Sequence, residues 1–194
     1  QVGLSHAESR MADTALQENH IAEATAGYER ALALVAPLPA TLDDRVMAEN
    51  RARSDYSQAL LSAGRHADAE AQLRQLFPLV DPWSSSPPAS DMKRRLRMSL
   101  RSNMVDVTFY QGKATEALAF AEEAVSLARE HQAVATDQSV AQLMMYRTIN
   151  RRAVVLYGLQ RLDEAIGPGQ IEIAIDIKKI GAHRLCDFAR SGHH

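Results

Sequence analysis

Four alanines set the frame of this chain. Ala24, Ala69, Ala117 and Ala165 are spaced 45, 48 and 48 residues apart, and each stands in the same local setting. The stretches are Glu18-Asn19-His20-Ile21-Ala22-Glu23-Ala24, Ala63-Gly64-Arg65-His66-Ala67-Asp68-Ala69, Gln111-Gly112-Lys113-Ala114-Thr115-Glu116-Ala117 and Leu159-Gln160-Arg161-Leu162-Asp163-Glu164-Ala165. In each, a turn closes one helical pattern and a short polar step opens the next on an alanine. A near-constant period in this range is the signature of stacked helical units, each burying its apolar face on its neighbour.

Composition agrees. Of 194 residues, 46% are hydrophobic but only 5% aromatic. With alanine abundant, that favours closely packed helices over strands, which draw on β-branched and aromatic residues. The net charge of −2 gives no global attraction to nucleic acid or to an anionic membrane. No apolar run approaches the ~20 residues of a membrane span. Cys186 is the one cysteine, so no intramolecular disulfide forms. The expected compartment is the cytoplasm. The chain opens on Gln1 rather than Met, which reads as an excised piece or a processed product. The closing His193-His194 is given no role.

Hydrophobic periodicity predicts helices in pairs. The first covers 4–18, with Leu4, Ala7, Met11, Ala15 and Leu16 on one stripe. The second covers 21–36 and ends before Pro37 and Pro39, since proline cannot continue a helical ladder. Thr41 is an N-cap candidate for a third helix over 42–62, with Asp43 and Asp44 where the helix dipole favours acid. Gly64 ends it, and a fourth helix spans 66–80. Residues 81–90, rich in proline and serine, read as an insertion loop carrying the one tryptophan, Trp83. Ser90 caps a helix over 91–111, a sixth follows over 114–131, and Thr136 or Asp137 caps a seventh reaching 158. The eighth starts at Leu162, is interrupted at Gly167-Pro168-Gly169 and resumes through Ile171, Ile175, Ile177 and Ile180. Gly181 is its C-cap. The expectation is a single domain of four hairpins, at 4–37, 42–80, 91–131 and 135–180, with a capping segment over 181–194.

Paired helices with small residues at these places resemble the tetratricopeptide repeat family, whose unit is about 34 residues. Gly64, Ala69 and Leu76 match the second repeat. Gly112, Ala117 and Ala124 match the third. Asn19, Ala24, Ala31 and Pro37 match the first. The fourth keeps Ala165 but places Glu172 at the second alanine position. The longer repeats here imply longer helices or connections, and other helical-hairpin solenoids fit the same spacing. The resemblance implies an all-α, right-handed helical-hairpin solenoid of about four hairpins. Long repeats of this kind are also similar to those of bacterial multidomain signalling proteins.

The resemblance also implies that the first helix of each pair lines a concave face. The inward positions would be Arg51, Ser54, Asp55 and Gln58 in the second repeat, Ser99, Ser102, Asn103 and Asp106 in the third, and Arg147, Asn150, Arg151 and Val154 in the fourth. A subset of the family clamps a peptide's terminal carboxylate, and Asn103, Arg147 and Arg151 match three of its places. Ser54 and Gln58 stand where that clamp has Lys and Asn. Arginines here would take a carboxylate bidentately. Ordinary solvated helix charges would carry the same residue types.

Charge is segregated between the helices of a pair. Helix 91–111 carries a net +3 and helix 135–158 a net +2, against −3 for helix 114–131 and −2 for 162–180. A basic inner wall would attract an acidic partner, and the two layers would equally neutralise each other across each hairpin. Lys93, Arg97 and Arg101 form one stripe at i, i+4 and i+8. Such a stripe could grip phosphates, but no aromatic interleaves with it, and a solvated face is the expectation.

Constellations for chemistry are missing. There is no phosphate loop, no His-Glu-x-x-His and no paired-cysteine spacing. His20 and His66 read as polar turn residues. Cys186, with His183 one turn earlier and Asp187 beside it, reads as an incidental thiol. The expectation is a scaffold or adaptor, not an enzyme, needing no cofactor or metal. It would bind a protein or an acidic or carboxylate-terminated peptide through Arg51, Asn103, Arg147 and Arg151. Neither nucleic acid nor membrane insertion is expected, and an end hairpin could pair two copies. The alternative is a sensory or regulatory module of a larger bacterial signalling protein, acting through ligand binding or self-association.

Overall fold

The four turns that carry the repeat share one backbone geometry. Asn19, Gly64, Gly112 and Gln160 all have positive φ, at 62°, 72°, 75° and 60°. The residue after each donates its N–H five residues back: His20 to Ala15, Arg65 to Leu60, Lys113 to Thr108 and Arg161 to Leu156, at 2.8–3.0 Å. A left-handed residue is what lets a helix close its last carbonyls this way, which is why glycine stands at two of the four places. Ala24, Ala69 and Ala117 are fully buried and Ala165 nearly so. Each donates to the carbonyl of the residue just past the left-handed one, so the new helix starts at a fixed distance from the turn. In three turns a basic side chain faces an acid three residues on. These are His20 and Glu23 at 3.8 Å, Arg65 and Asp68 at 2.7 Å, and Arg161 and Glu164 at 2.7 Å. The acid lies in the first helical turn, where the dipole favours it.

The computed structural model describes residues 1–39, 42–85 and 90–165. Among these the fold is all-α. The helices are α1 (Val2–Gln17), α2 (Ile21–Val35), α3 (Asp43–Ser62), α4 (His66–Arg74), α5 (Phe77–Ser85), α6 (Asp91–Tyr110), α7 (Ala114–Val134), α8 (Gln138–Gly158) and the short α9 (Leu162–Ala165). No helix among the described residues is long and apolar enough to cross a membrane. The expected cap at Thr41 and everything from Ile166 onward, including Gly167-Pro168-Gly169, Gly181, His183 and Cys186, lie outside the described residues. Ser90 does cap α6, its hydroxyl accepting from the Lys93 amide at 3.2 Å. Asp137 caps α8, accepting from the Ser139 and Val140 amides.

The chain divides into two compact units, Gln1–Asn103 and the residues from Met104 on, so the division falls within α6. In the first unit α1 packs on α2 and α3, α2 packs on α3, and α3 packs on α4 and α5. Tyr28 of α2 and Tyr56 of α3 stack with centroids 5.9 Å apart. In the second unit α7 packs on α8 and α8 on α9. Its core joins Val105 of α6, Ala117, Leu118 and Ala121 of α7, and Ala153, Val155 and Leu156 of α8.

Two expectations are corrected in the first unit. The inward face of α1 is not the Leu4–Met11 stripe but Ser5, Ser9, Ala12 and Ala15. Leu4 is 62% and Met11 56% exposed. The cause is a close crossing: a Cβ on Gly27 of α2 would lie 2.8 Å from the Ala12 Cβ, so only small side chains fit between the two helices. The second correction concerns 66–90. The helix expected over 66–80 breaks at Gln75–Leu76, and residues 81–85, expected as loop, continue the helix that restarts at Phe77. Pro78 stands in the first turn of α5, where no ladder bond is lost. Pro82 does remove one bond, and burial of Val80 and Trp83 offsets it by about 2–3 kcal/mol per side chain.

Candidate functional site

The basic stripe of α6 is not a solvated face. Lys93 is 6% and Arg101 3% exposed. Arg101 grips Asp81 of α5 with both terminal nitrogens, Nη2 to Oδ2 at 2.7 Å, while its guanidinium lies 4.7 Å from the Phe77 ring centre. Arg97 Nε is 3.6 Å from the same carboxylate. The Lys93 ammonium lies 5.2 Å from the Trp83 ring centre, and Trp83 Nε1 donates to Asp43 Oδ1 at 2.6 Å. These cations hold α5 against α6 through charge-assisted bonds and ring faces. Trp83 is a packed anchor, not a side chain presented by a loop.

Arg51 is likewise engaged. Its Nη2 is 3.3 Å from Asp13 Oδ2 of α1 and its Nε 3.5 Å from Asp55 Oδ2, one turn along α3. Tyr28 donates its hydroxyl to the other oxygen of Asp13 at 2.8 Å. One guanidinium therefore serves two carboxylates. Burial, together with repulsion from Asp13, pushes the Asp55 carboxyl up to about 6, and Arg51 only partly opposes that shift. Burial also raises the Tyr28 and Tyr56 hydroxyls, Tyr56 to about 12, helped by its 2.7 Å bond to Glu29. Asn103 is half-buried at the last position of the first unit.

The second unit holds the other two candidates, and a concavity beside them. Val105, Asp106, Phe109 and Tyr110 on α6, with Arg151, Val154 and Val155 on α8, line a small cleft that opens to solvent. Three of these, Asp106, Arg151 and Val154, are inward positions marked by the sequence. Arg151 Nη2 lies 3.1 Å from Asp106 Oδ2 across the cleft, and Nε donates to the same carboxylate at 3.2 Å. The two helices meet closely at the end of α8, where a Cβ on Gly158 would lie 2.9 Å from the Phe109 ring. That close contact leaves the apolar flanks of α6 and α8 as walls. Arg147, one turn before Arg151, is exposed, with no ion-pair partner among the described residues.

The four sequence candidates thus fall two to each unit: Arg51 and Asn103 in the first, Arg147 and Arg151 in the second. Phe109, Tyr110 and Val105 went unmarked in the sequence. Their signal was present, as an apolar i, i+4, i+5 set around Asp106 on an inner helix. Among the described residues no group of His, Cys, Asp and Glu could hold a metal ion. His20 lies 3.5 Å from the Glu18 carboxylate in its turn, as a polar turn residue would. Comparison with protein-family models, with curated proteins and with solved structures finds no match to this chain.

Proposed function

We propose that this chain is a protein- or peptide-binding module, a scaffold or adaptor built as a tetratricopeptide-like solenoid, and that the α6/α8 cleft is where it grips its partner. The observation that carries the reading is the cleft itself. Two first-of-pair helices flank an apolar depression sized for the end of a single side chain, with a charged pair on its wall and the exposed Arg147 one turn away. Such a site takes an apolar anchor from a partner and uses polar groups to fix its orientation. The equal geometry of the four turns supports stacked hairpins, because it repeats at the spacing of the buried alanines.

The partner segment carries one apolar anchor residue flanked by acid, which Arg147 would attract and Arg151 would take as a second carboxylate. A second reading is that the module relays binding within a longer signalling protein. It is favoured by the small size of the cleft, which suits a compact ligand. The test is capture of partners by the wild-type chain, by Val154→Glu and by the double variant Arg147→Glu/Arg151→Glu. Loss of the same partner from both variants is the expected result. Unchanged capture by both would eliminate the site.

A further inference from the structure

Building on the reading of the α6/α8 cleft as a docking site, we propose that its occupant is helix α1 of a second copy of this chain, with Met11 seated in the cleft. Helix α1 turns its small residues inward and leaves Leu4, Ala7 and Met11 outward at i, i+3 and i+7. No described element covers this stripe, with Leu4 62% and Met11 56% exposed. The cleft walls are Val105, Phe109, Val154 and Val155, and the space between them admits the end of one slender side chain. An unbranched thioether adapts to such an irregular apolar gap and gains from contact with a ring edge, here Phe109.

Charge at the margins fits the same pairing. Arg10, beside Met11, is exposed and has no ion-pair partner among the described residues, and the Glu18 carboxylate lies two turns further on, also exposed. At the cleft stand the half-buried Asp106 carboxylate and the exposed Arg147. Arg10 of one copy faces Asp106 of the next, and Glu18 faces Arg147. Both pairs are of opposite sign, which favours this register.

The contact joins two different surfaces. It is heterologous, and each copy offers both halves, so association runs on into a ring or an open chain of copies instead of stopping at a two-fold dimer. This makes a sharp test, sedimentation equilibrium of the full chain over a concentration series. The wild type is compared with Met11→Glu, Val154→Glu and an equimolar mixture of the two, with far-ultraviolet circular dichroism confirming the fold of each. The wild type is expected to pass beyond dimer, and each variant alone to show a dissociation constant raised at least tenfold. The mixture is expected to recover a 1:1 dimer and nothing larger, because one variant supplies the intact cleft and the other the intact α1. A wild type that stays monomeric overturns the proposal. So does disruption by Met11→Glu alone, which would mean α1 pairs with itself. Disruption by Val154→Glu alone overturns α1 as the occupant and leaves the cleft reading standing. The cleft reading falls only if Val154→Glu also leaves capture of other partners unchanged.

Discussion

The cations of α6 and those of α8 have different fates. In the sequence both sets stand on first-of-pair helices with a net positive charge, and both suggest a basic wall. In the structure Lys93, Arg97 and Arg101 lie against α5, on Trp83 and Asp81, and Lys93 and Arg101 are buried. Arg151 shares one carboxylate at the edge of an open cleft, and Arg147 reaches solvent. What separates them is the element packed alongside. A proline-bearing helix lies over the first set, bringing an acid and two rings, whereas on α8 Arg151 and Arg152 are each held by a carboxylate, of Asp106 and Glu122, and Arg147 has no ion-pair partner among the described residues. A charge run therefore has no function until its cover is known. The first unit packs its cations between helices, and the second leaves Arg147 in solvent, which is what the proposed docking site requires.

The contrast can be broken most forcefully at Asp81. Asp81→Ala removes the carboxylate that Arg101 holds with two nitrogens while leaving that guanidinium buried. It should cost about 3 kcal/mol, read by urea unfolding followed through the fluorescence of Trp83. A loss below 0.5 kcal/mol, roughly the scatter of ordinary surface substitutions, would make the α6 cations as dispensable as surface charges. Next in size is Gly27→Ala, which forces a Cβ onto Ala12. It should destabilise the chain by about 1–3 kcal/mol, despite the better helix propensity of alanine, in a thermal melt.

Gln160 tests the second unit. It holds the left-handed turn position that Gly64 and Gly112 hold elsewhere. Gln160→Gly should raise the unfolding free energy by about 0.5–1 kcal/mol, because glycine relieves the strain of positive φ at some cost in backbone entropy.

A smaller effect belongs to the first unit and depends on pH. The folded Asp55 carboxyl titrates near 6, above its ordinary value of 3.8, so the folded state binds the proton more tightly. Stability should therefore fall as pH rises through that window, level off above it, and lose this slope in Asp55→Asn. Melting temperatures at pH 4 to 7 would show it, and a slope of opposite sign would refute the assignment. Smallest is Arg147→Ala, which should change stability by no more than about 0.5 kcal/mol, measured by the same urea titration, while weakening partner capture.

Much of this was legible in the residues. The four turns were, because a left-handed cap and a close-packed alanine leave a local pattern that recurs at a near-constant spacing along the chain. The caps at Ser90 and Asp137 were legible too, since a side chain that accepts from its own helix is a local event. What was not legible was decided by neighbours far along the chain. Leu4 and Met11 read as an inward stripe, and the Gly27–Ala12 crossing turned them out. Residues 81–85 read as loop from their prolines and serines, while Asp43, Lys93 and Arg101 supplied the partners that keep them helical. Arg51 and Arg151 were marked as open contacts, and each proves to be held by a carboxylate that the pattern alone did not pair with it. Nothing local distinguishes Val105 and Phe109 from ordinary core residues, which Val105 also is, and only the approach of α8 makes them walls of the cleft.

The most direct test of the contrast between α6 and α8 is a map of backbone amide shifts by two-dimensional NMR as the chain is concentrated from the monomer range upward. Shifts are predicted at Val105, Asp106, Phe109, Arg151 and Val154, with matching shifts along Leu4–Met11, while Lys93, Arg97 and Arg101 stay still. Shifts confined to Lys93–Arg101, with the cleft silent, would contradict it.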